Sequence, residues 1–429
     1  MIHVTVFPVT ATGLLVCPAV TSFDSAPSLS MSRALLALAV VLLMLATTGW
    51  TAIHREPTDG ASRDAALAAW ERGGVAGRKL PDPEAPPRVI ASFFATLVPA
   101  GRARLAERYP LVVGNLNGAP VALRYRANHI ALEQARTMEK RRMRDRRLSP
   151  DGRHQASRRM HRFESLLEPG RQILAFDPGG DGRVAEVFGD LGRARRVSVI
   201  VPGVDTNVLT FERSRRKYTA PVGMAESLYA AERSASPGAL PQGRIAVIAW
   251  ADYTSPDGVG MDAAVGKLAE DGAVRLGALV GGLPGTAPVS LFCHSYGSVL
   301  CGVAARRLPP RVTDIAVAGS PGMRADSARG LRSTARVWAM RDADDWIQDV
   351  PYLEVGVFGH GADPVSSAFG ARVLSSKGAI GHTGYFEPGT ESLRNFAAIG
   401  VGAYDEVSCA SGGTACRSGF SGPAELPRA

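Results

Sequence analysis

Ser295 lies in the stretch "LFCHSYGSVL" (residues 291–300), which has the composition of a turn that presents a serine nucleophile. Such a turn joins a strand to a helix and strains the backbone at the serine, so small residues are needed two positions before and after it. Gly297 meets this need, and Cys293 stands where the first glycine is usual. The pattern predicts acyl-transfer chemistry, provided that a base and an acid lie nearby.

The base that activates Ser295 is expected to be a histidine, because a serine hydroxyl does not ionise unaided at neutral pH. Of the eight histidines, His382 in "GHTGYF" follows the last predicted strand and is the predicted base, with His360 in "FGHGADP" as the alternative. The other six are set aside by their position. His3 and His54 flank the N-terminal hydrophobic stretch, and His294 adjoins the serine and is expected to point away from it. The remaining three fall in the helical segment: His129, His154 and His161.

The acid that orients the imidazole is expected at the end of the strand "ARVWAM". The following "RDADDWIQDVP" offers three carboxylates. Asp345 heads an Asp-Trp-Ile turn and is the predicted acid, whereas Asp344 and Asp342 are the alternatives.

The negative charge that develops on the substrate needs two converging N–H groups, which form an oxyanion hole. One is predicted to be the backbone N–H of Tyr296, the residue after the nucleophile, and the other that of Val204 or Asp205 in "VPGVD", beside Gly203. The sequence contains no glycine-rich phosphate loop and no metal-ligand spacing, so no cofactor and no metal are expected.

The elements that position these residues are predicted in residues 171–405. The segment opens with a hairpin in "RQILAFDPGGDGRVAEVFGD", after which apolar strands such as "RVSVIV" and "PVSLF" alternate with helical runs. This alternation predicts an α/β fold, a mostly parallel twisted sheet covered by helices on both faces, with the hairpin as an antiparallel edge. Ligands of such sheets bind beyond the carboxyl ends of the strands.

The rest of the chain divides into three predicted segments: a leader over residues 1–57, a helical segment over 58–170 and a Gly-rich tail over 406–429. Within the leader, residues 34–53 carry no charge and are long enough to cross a bilayer as a helix. Because Trp50 is too large for the cleavage rule of a secretory signal, retention as a membrane anchor is favoured over secretion. Translation is hypothesised to start at Met31.

The cysteines and the charge suggest little beyond this framework. Cys409 and Cys416 are expected to form a disulfide if the tail is exported, and Cys293 and Cys301 are expected to be buried small hydrophobes.

The net charge of +9 is concentrated in the basic run, residues 136–162, which holds 11 Lys/Arg and 3 Asp/Glu. The run is interpreted as a solvated helical face, or else as a footprint for anionic headgroups; no nucleic acid partner is expected, because no reading motif accompanies it.

Together these features resemble the alpha/beta-hydrolase superfamily. More narrowly, they resemble an alpha/beta hydrolase domain family of unknown function from high-GC Gram-positive bacteria. The matching stretches are "VVGNLNGAPVALRYRAN", "QILAFDPGGDGRVAEVFGDL", "VSVIVPGVDTNV", "CHSYGSV", "DIAVAGSPGM", the Asp345 turn, "HGADP", "FGARV" and "GHTGYF". The resemblance implies Ser295 as nucleophile, His382 as base and Asp345 as acid; the departure from the family is Cys293, where members carry glycine.

The sequence therefore predicts a serine hydrolase that cleaves carboxylic esters, with a small-molecule or lipid-like substrate met at the membrane. A thioesterase or a peptidase would use the same three residues. The competing interpretation is a non-catalytic binding module with the same fold, since function resides in sites and not in architectures. A module without catalysis would not need a serine, an acid and a histidine in this order at the strand ends.

Overall fold

The computed structural model describes residues 60–235, 244–356 and 358–419, all within one compact unit, Pro57–Ala429. The predicted hydrophobic helix at 34–53 lies outside the described residues. Among the helices of the described ranges, none has both the length and the apolar character needed to cross a membrane.

The centre of the fold is an eight-stranded sheet with the strand order β12-β9-β8-β7-β5-β6-β4-β3. Strands β12 to β6 in that order are parallel, and β4 pairs antiparallel with both β6 and β3. The predicted hairpin thus forms an antiparallel edge, as expected. The strands are β3 Gln172–Asp177, β4 Arg183–Gly189, β5 Arg196–Val201, β6 Ile245–Ala251, β7 Val289–His294, β8 Val312–Ala318, β9 Arg336–Met340 and β12 Arg372–Val373.

Successive side chains of a strand point to opposite faces of the sheet, and here the apolar strands are buried on both faces. In β5, Val199 and Val201 pack into one core cluster, and Ile200 packs into the other. In β7, Leu291 and Phe292 are divided in the same way. The prediction of a mostly parallel sheet covered on both faces is therefore confirmed.

Helices cover both faces of this sheet. On one side the helices Lys267–Gly282 and Tyr296–Ala305 contribute Leu276 and Val299 to the core. On the other side Pro221–Ala235 and Glu391–Val401 contribute Leu228 and Phe396. The helices of the described ranges are α1 Gly60–Glu71, α2 Pro87–Ala95, α3 Pro99–Arg108, α4 Pro110–Val113, α5 Val121–Arg142, α6 Pro150–Leu166, α7 Pro221–Ala235, α8 Met261–Ala264, α9 Lys267–Gly282, α10 Tyr296–Ala305 and α11 Glu391–Val401.

The helical segment packs along the edge of the sheet that ends in β3. Leu132 of α5 and Phe163 of α6 share a core cluster with Phe176 of β3, while α1 to α4 surround a smaller core of their own. The sequence suggested an all-helical segment, but the segment also contains two short strands. A two-stranded ribbon, β1 Gly74–Val75 and β2 Arg78–Lys79, turns through positive φ at Ala76 and Gly77, the geometry of tight hairpins.

Two further sequence features find their place here. The disulfide Cys409–Cys416 forms in the tail, as predicted. In the basic run, Arg159 Nε lies 2.9 Å from Glu139 and Arg162 Nη1 lies 2.9 Å from Glu212, so part of its charge is neutralised within the protein. A last two-stranded ribbon, β10 Glu354–Val355 and β11 Phe358–Gly359, precedes β12.

Candidate active site

Ser295 lies at the turn between β7 and α10, at the carboxyl end of a central strand. Its backbone has φ 54° and ψ −128°, a conformation that costs a non-glycine residue about 1–3 kcal/mol and is held by its surroundings. Its N–H donates to Ala318 O at 3.0 Å. Gly297 must be glycine, because a Cβ there would lie 2.2 Å from Val201 O. The sequence context thus produces a strand, a strained turn and a helix around the serine.

Cys293 and Cys301 form a disulfide across this turn, so the expectation that they are buried small hydrophobes was wrong. Both are buried, but Cys293 is the last but one residue of β7 and Cys301 lies in the second turn of α10, the helix that packs over this strand. Their Cα atoms are 6.5 Å apart, within the range that a disulfide spans. The bridge ties together the two elements on either side of Ser295.

His382 lies in the 3₁₀ turn Gly381–Phe386, and its Nε2 accepts from the Ser295 hydroxyl at 2.9 Å. Asp342 Oδ2 accepts from Gly381 N at 2.8 Å and so holds the start of this turn. The backbone of His382 is held as well, since His294 Nε2–H donates to its carbonyl at 2.6 Å. His294 was expected to point away from Ser295, and its Nε2 reaches the His382 carbonyl.

Asp345 completes the chain of hydrogen bonds, with its Oδ1 2.8 Å from His382 Nδ1. The carboxylate is fully buried and also accepts from Ile347 N at 3.0 Å and from the Tyr385 hydroxyl at 2.5 Å. Burial alone would raise the pKa of Asp345, but the hydrogen bonds from His382, Tyr385 and Ile347 outweigh it and hold the pKa below its usual value. An ionised carboxylate of this kind favours a positive charge on the neighbouring imidazole.

The electrostatics of His294 fit its role as a neutral donor. Burial, followed by the proximity of His382, lowers the pKa of His294 to about 4. The ring is therefore uncharged at neutral pH, and it donates a hydrogen bond to the His382 carbonyl without placing a second positive charge in the site.

The alternatives considered from the sequence lie elsewhere. His360 Nε2 donates to Ala263 O at 2.7 Å, and burial lowers the pKa of this histidine. Asp344 is exposed to solvent, and Asp342 supports the imidazole loop rather than the ring. The structure thus brings together Ser295, His382 and Asp345, and leaves His360, Asp344 and Asp342 out of the hydrogen-bonded chain.

The candidate donors of the oxyanion hole differ in whether their backbone N–H already donates to another residue. Tyr296 is the first residue of α10, so its N–H lies outside the i→i−4 ladder of that helix. The N–H of Asp205 donates to Pro256 O at 2.9 Å, so the prediction of Asp205 as a donor was wrong and Val204 is left as the candidate. The backbone approaches closely here: a Cβ on Gly203 would lie 2.7 Å from Ser295 Cβ.

Tyr385, His294 and Trp346 were not assigned to the site from the sequence. Tyr385 lies in the same turn as His382, Gly381–Phe386, and only the fold shows that its hydroxyl reaches Asp345. Trp346 follows Asp345, and its ring centroid lies 4.6 Å from that of His382 while 44% of the residue stays exposed. The signal available was adjacency to a predicted site residue, which does not tell where a side chain points.

No group of three or more His, Cys, Asp or Glu side chains is placed to hold a metal ion within the described ranges. The contacts of the site are hydrogen bonds among side chains and backbone groups. Such an arrangement can move a proton between a hydroxyl and an imidazole and can stabilise the resulting positive charge.

Comparison with known proteins agrees with this architecture. Residues 177–355 match the family model described as alpha/beta hydrolase. An uncharacterized protein of Mycobacterium tuberculosis strain H37Rv is 27% identical over 391 residues, covering 77% of this chain and 58% of that protein. An uncharacterized protein of Mycobacterium bovis is 33% identical over 162 residues, covering 36% of this chain and 59% of that protein. This chain thus spans less than two thirds of these relatives.

Two solved structures are similar in part. Dienelactone hydrolase from Anabaena variabilis has a TM-score of 0.31 and 15% identity, over 53% of this chain and 93% of that one. The 2,6-dihydroxy-pseudo-oxynicotine hydrolase has a TM-score of 0.32 and 12% identity, over 70% of this chain and 86% of that one. Residues 177–355 thus form an alpha/beta hydrolase domain by the family model that they match, and they contribute most strands of the mostly parallel eight-stranded sheet.

Proposed function

We propose that this protein is a serine hydrolase that cleaves carboxylic esters through an acyl-enzyme on Ser295. The observation that carries the proposal is the continuous hydrogen-bonded chain from Ser295 Oγ to His382 Nε2, at 2.9 Å, and from His382 Nδ1 to Asp345 Oδ1, at 2.8 Å. This is the arrangement in which an imidazole takes the proton of an attacking hydroxyl.

In the first half-reaction, Ser295 Oγ attacks the ester carbonyl carbon while His382 Nε2 takes the hydroxyl proton. The tetrahedral intermediate places its oxyanion toward the N–H groups of Tyr296 and Val204. When it collapses, the C–O bond to the alcohol breaks and His382 returns the proton to the departing oxygen. The alcohol leaves, and the acyl group stays on Ser295.

In the second half-reaction, a water molecule gives a proton to His382 and attacks the acyl carbon. Collapse of this intermediate breaks the bond to Ser295 Oγ, which recovers its proton from His382, and the carboxylic acid is released. Asp345 stays ionised throughout and stabilises the imidazolium that forms twice in each cycle, as its lowered pKa favours.

A lipid-like ester at a membrane is the substrate setting that we propose. Two sequence features support it: the uncharged stretch 34–53 and the basic run 136–162, which could meet anionic headgroups. Both remain predictions, and the chemistry proposed for Ser295 does not depend on them.

The test is hydrolysis of p-nitrophenyl esters of increasing acyl length by the full chain and by matched pairs of variants. Ser295→Ala, His382→Gln and Asp345→Asn are each expected to lower kcat by a factor of at least about 10³, as removal of a triad member does elsewhere. His360→Gln and Asp344→Asn change the same residue types outside the hydrogen-bonded chain and should keep kcat within about threefold. A His360→Gln variant as impaired as His382→Gln, with both folded, would refute the assignment.

A further inference from the structure

A polar cavity that the proposed mechanism does not use lies at the same carboxyl edge of the sheet as Ser295. This cleft, called the Asp177 cleft below, has a volume of about 250 Å³ and is lined by the β3–β4 turn, the loops that follow β5 and β6, and the start of α1. Strand β6 lies two strands from β7 in the sheet order. Since neighbouring strands are about 4.8 Å apart, the near wall of the cleft, after β6, starts roughly 10 Å from β7, and the far wall, at the end of β3, roughly 19 Å from it.

One wall of the Asp177 cleft is the same loop that reaches Ser295. This loop, residues 202–207, begins beside the nucleophile at Gly203 and enters the cleft at Thr206. The loop after β6 clamps it: the Tyr253 hydroxyl donates to Pro202 O at 2.6 Å, and Thr206 N donates to Ser255 Oγ at 2.9 Å. A group bound in the cleft therefore contacts Thr206, two residues after the candidate oxyanion donor Val204 in the same loop.

The opposite wall is held rigidly by buried charges. Asp177 is 1% exposed and accepts hydrogen bonds from Arg63 Nη1, at 3.0 Å, and from Arg183. Arg159 donates to Gly180 O at 3.0 Å and fixes the β3–β4 turn from outside. Arg183 Nε is buried and has no hydrogen-bond partner among the described residues. The cleft thus presents fixed donors and acceptors before any ligand arrives.

The chemistry of the lining selects a class of ligand. Four carboxylates, at Asp64, Asp177, Asp181 and Asp257, line the cleft with only two guanidinium groups, so an anion is disfavoured. The guanidinium groups of Arg63 and Arg183 are already paired with Asp177, and they oppose the close approach of a cation to that carboxylate. An acyl chain would remove these polar groups from water without replacing their hydrogen bonds, which is costly. A neutral group with several hydroxyls can donate to the carboxylates and accept from the guanidinium groups at once.

We infer that the Asp177 cleft is a subsite for a polyhydroxylated, sugar-like group of the ester substrate, bound roughly 10 Å or more from the bond that is cleaved. This inference rests on the proposed function and specifies its substrate class: an ester with a hydroxylated ring on the far side of a spacer. The ring can belong to the alcohol or to the acyl part of the substrate, and the two are distinguished below.

The test uses two pairs of synthetic esters with the full chain. On the alcohol side, 6-(acetyloxy)hexyl glucoside is compared with 6-(acetyloxy)hexyl cyclohexyl ether. On the acyl side, ethyl 6-(glucosyloxy)hexanoate is compared with ethyl 6-(cyclohexyloxy)hexanoate. Each pair shares its spacer and ring size and differs in hydroxyls. We expect kcat/KM at least tenfold higher for the glucoside in one of the two pairs, and the pair that shows it identifies the side.

Two variants locate the preference. Thr254 is exposed at the rim of the cleft, and Thr254→Trp fills it, so the glucoside preference should fall at least tenfold. Thr137→Trp makes the same change on the exposed face of α5 and should leave the preference unchanged. A preference that survives in Thr254→Trp overturns the inference, as does a ratio below two in both pairs or a higher kcat/KM for analogues with an ammonium head.

Failure of this inference can be told apart from failure of the proposed function. If the cyclohexyl esters are hydrolysed by the native chain and not by Ser295→Ala, while no glucoside preference appears, only the subsite is wrong. If Ser295→Ala hydrolyses all four esters as fast as the native chain, the nucleophile itself is wrong.

Discussion

Replacing Cys293 and Cys301 by alanine is expected to lower both the stability and the activity of the protein. The bridge closes a loop with a sequence separation of 8 residues. In the chain-entropy description, a closed loop of that length destabilises the unfolded state by about 2.5 kcal/mol at 25 °C. The double variant should therefore lose about that much free energy of unfolding.

The second disulfide provides a matched control. Cys409–Cys416 has a sequence separation of 7, so its contribution by the same relation is about 2.4 kcal/mol. Removal of either bridge should lower the free energy of unfolding to a similar extent. The two differ in location, since only Cys293–Cys301 joins the strand and the helix on either side of Ser295.

The activities of the two double variants should therefore differ. Ser295 is held at φ 54°, and loss of the Cys293–Cys301 disulfide lets the turn relax toward ordinary backbone geometry. We expect this relaxation to raise the activation free energy by about 1.4 kcal/mol, which lowers kcat about tenfold and leaves KM little changed. Cys409→Ala/Cys416→Ala, by contrast, should keep kcat within about twofold of the native value.

The assay combines urea unfolding with ester hydrolysis at a temperature at which all three proteins are folded, after mass spectrometry has established two disulfides in the native chain. Equal kcat in the two double variants would refute the view that the bridge fixes the nucleophile turn. A loss of stability confined to one pair would contradict the loop-entropy estimate.

Three further variants test the electrostatics of the fold and of the site. Tyr385→Phe removes a hydrogen bond to the Asp345 carboxylate worth about 1.5–3 kcal/mol, so kcat should fall between about tenfold and a hundredfold with KM nearly unchanged; an unaltered kcat would show that Asp345 needs no such support. Burial raises the pKa of Glu232 to about 8, so the folded state binds the extra proton and the free energy of unfolding should fall by about 5 kcal/mol as pH rises from 4.5 to 8. In Glu232→Gln, the free energy of unfolding measured in urea should no longer fall over this pH range. If the fall persists in that variant, another group titrates. For His294, whose pKa is lowered to about 4, the unfolded state binds the extra proton, so about 3 kcal/mol of stability should be lost as pH falls from 6.5 to 4; His294→Gln should remove that acid-side loss, and an unchanged pH profile of unfolding would contradict it.

Much of the fold could be predicted from sequence periodicity. Continuous apolar strands such as Val289–His294 and the helix Glu391–Val401 follow from patterns that are local. The helix Pro221–Ala235 was not anticipated, because a long polar loop separates it from the preceding strand. The last predicted strand before His382, which the apolar run in "FGARVLSS" indicates, is reduced to Arg372–Val373, since an edge strand is shaped by its partner rather than by its own residues.

The site was predictable as far as residue order and strand ends determine it. Ser295, His382 and Asp345 follow from an ordered motif, a short list of histidines and a turn. Whether a backbone N–H already has a hydrogen-bond acceptor depends on distant loops: the N–H of Asp205 donates to Pro256 O, 51 residues further along the chain. The disulfide at Cys293 depends on how a helix packs on a strand, and spacing alone does not determine that.

The central claim is that His382 activates Ser295, and covalent labelling tests it most directly. The full chain is treated with a fluorophosphonate, which reacts with serines that behave as nucleophiles, and the modified peptide is mapped by mass spectrometry. We predict one adduct, on Ser295, and a labelling rate at least about a thousandfold lower in His382→Gln. An adduct on a different serine, or equally fast labelling in a folded His382→Gln, would contradict the account.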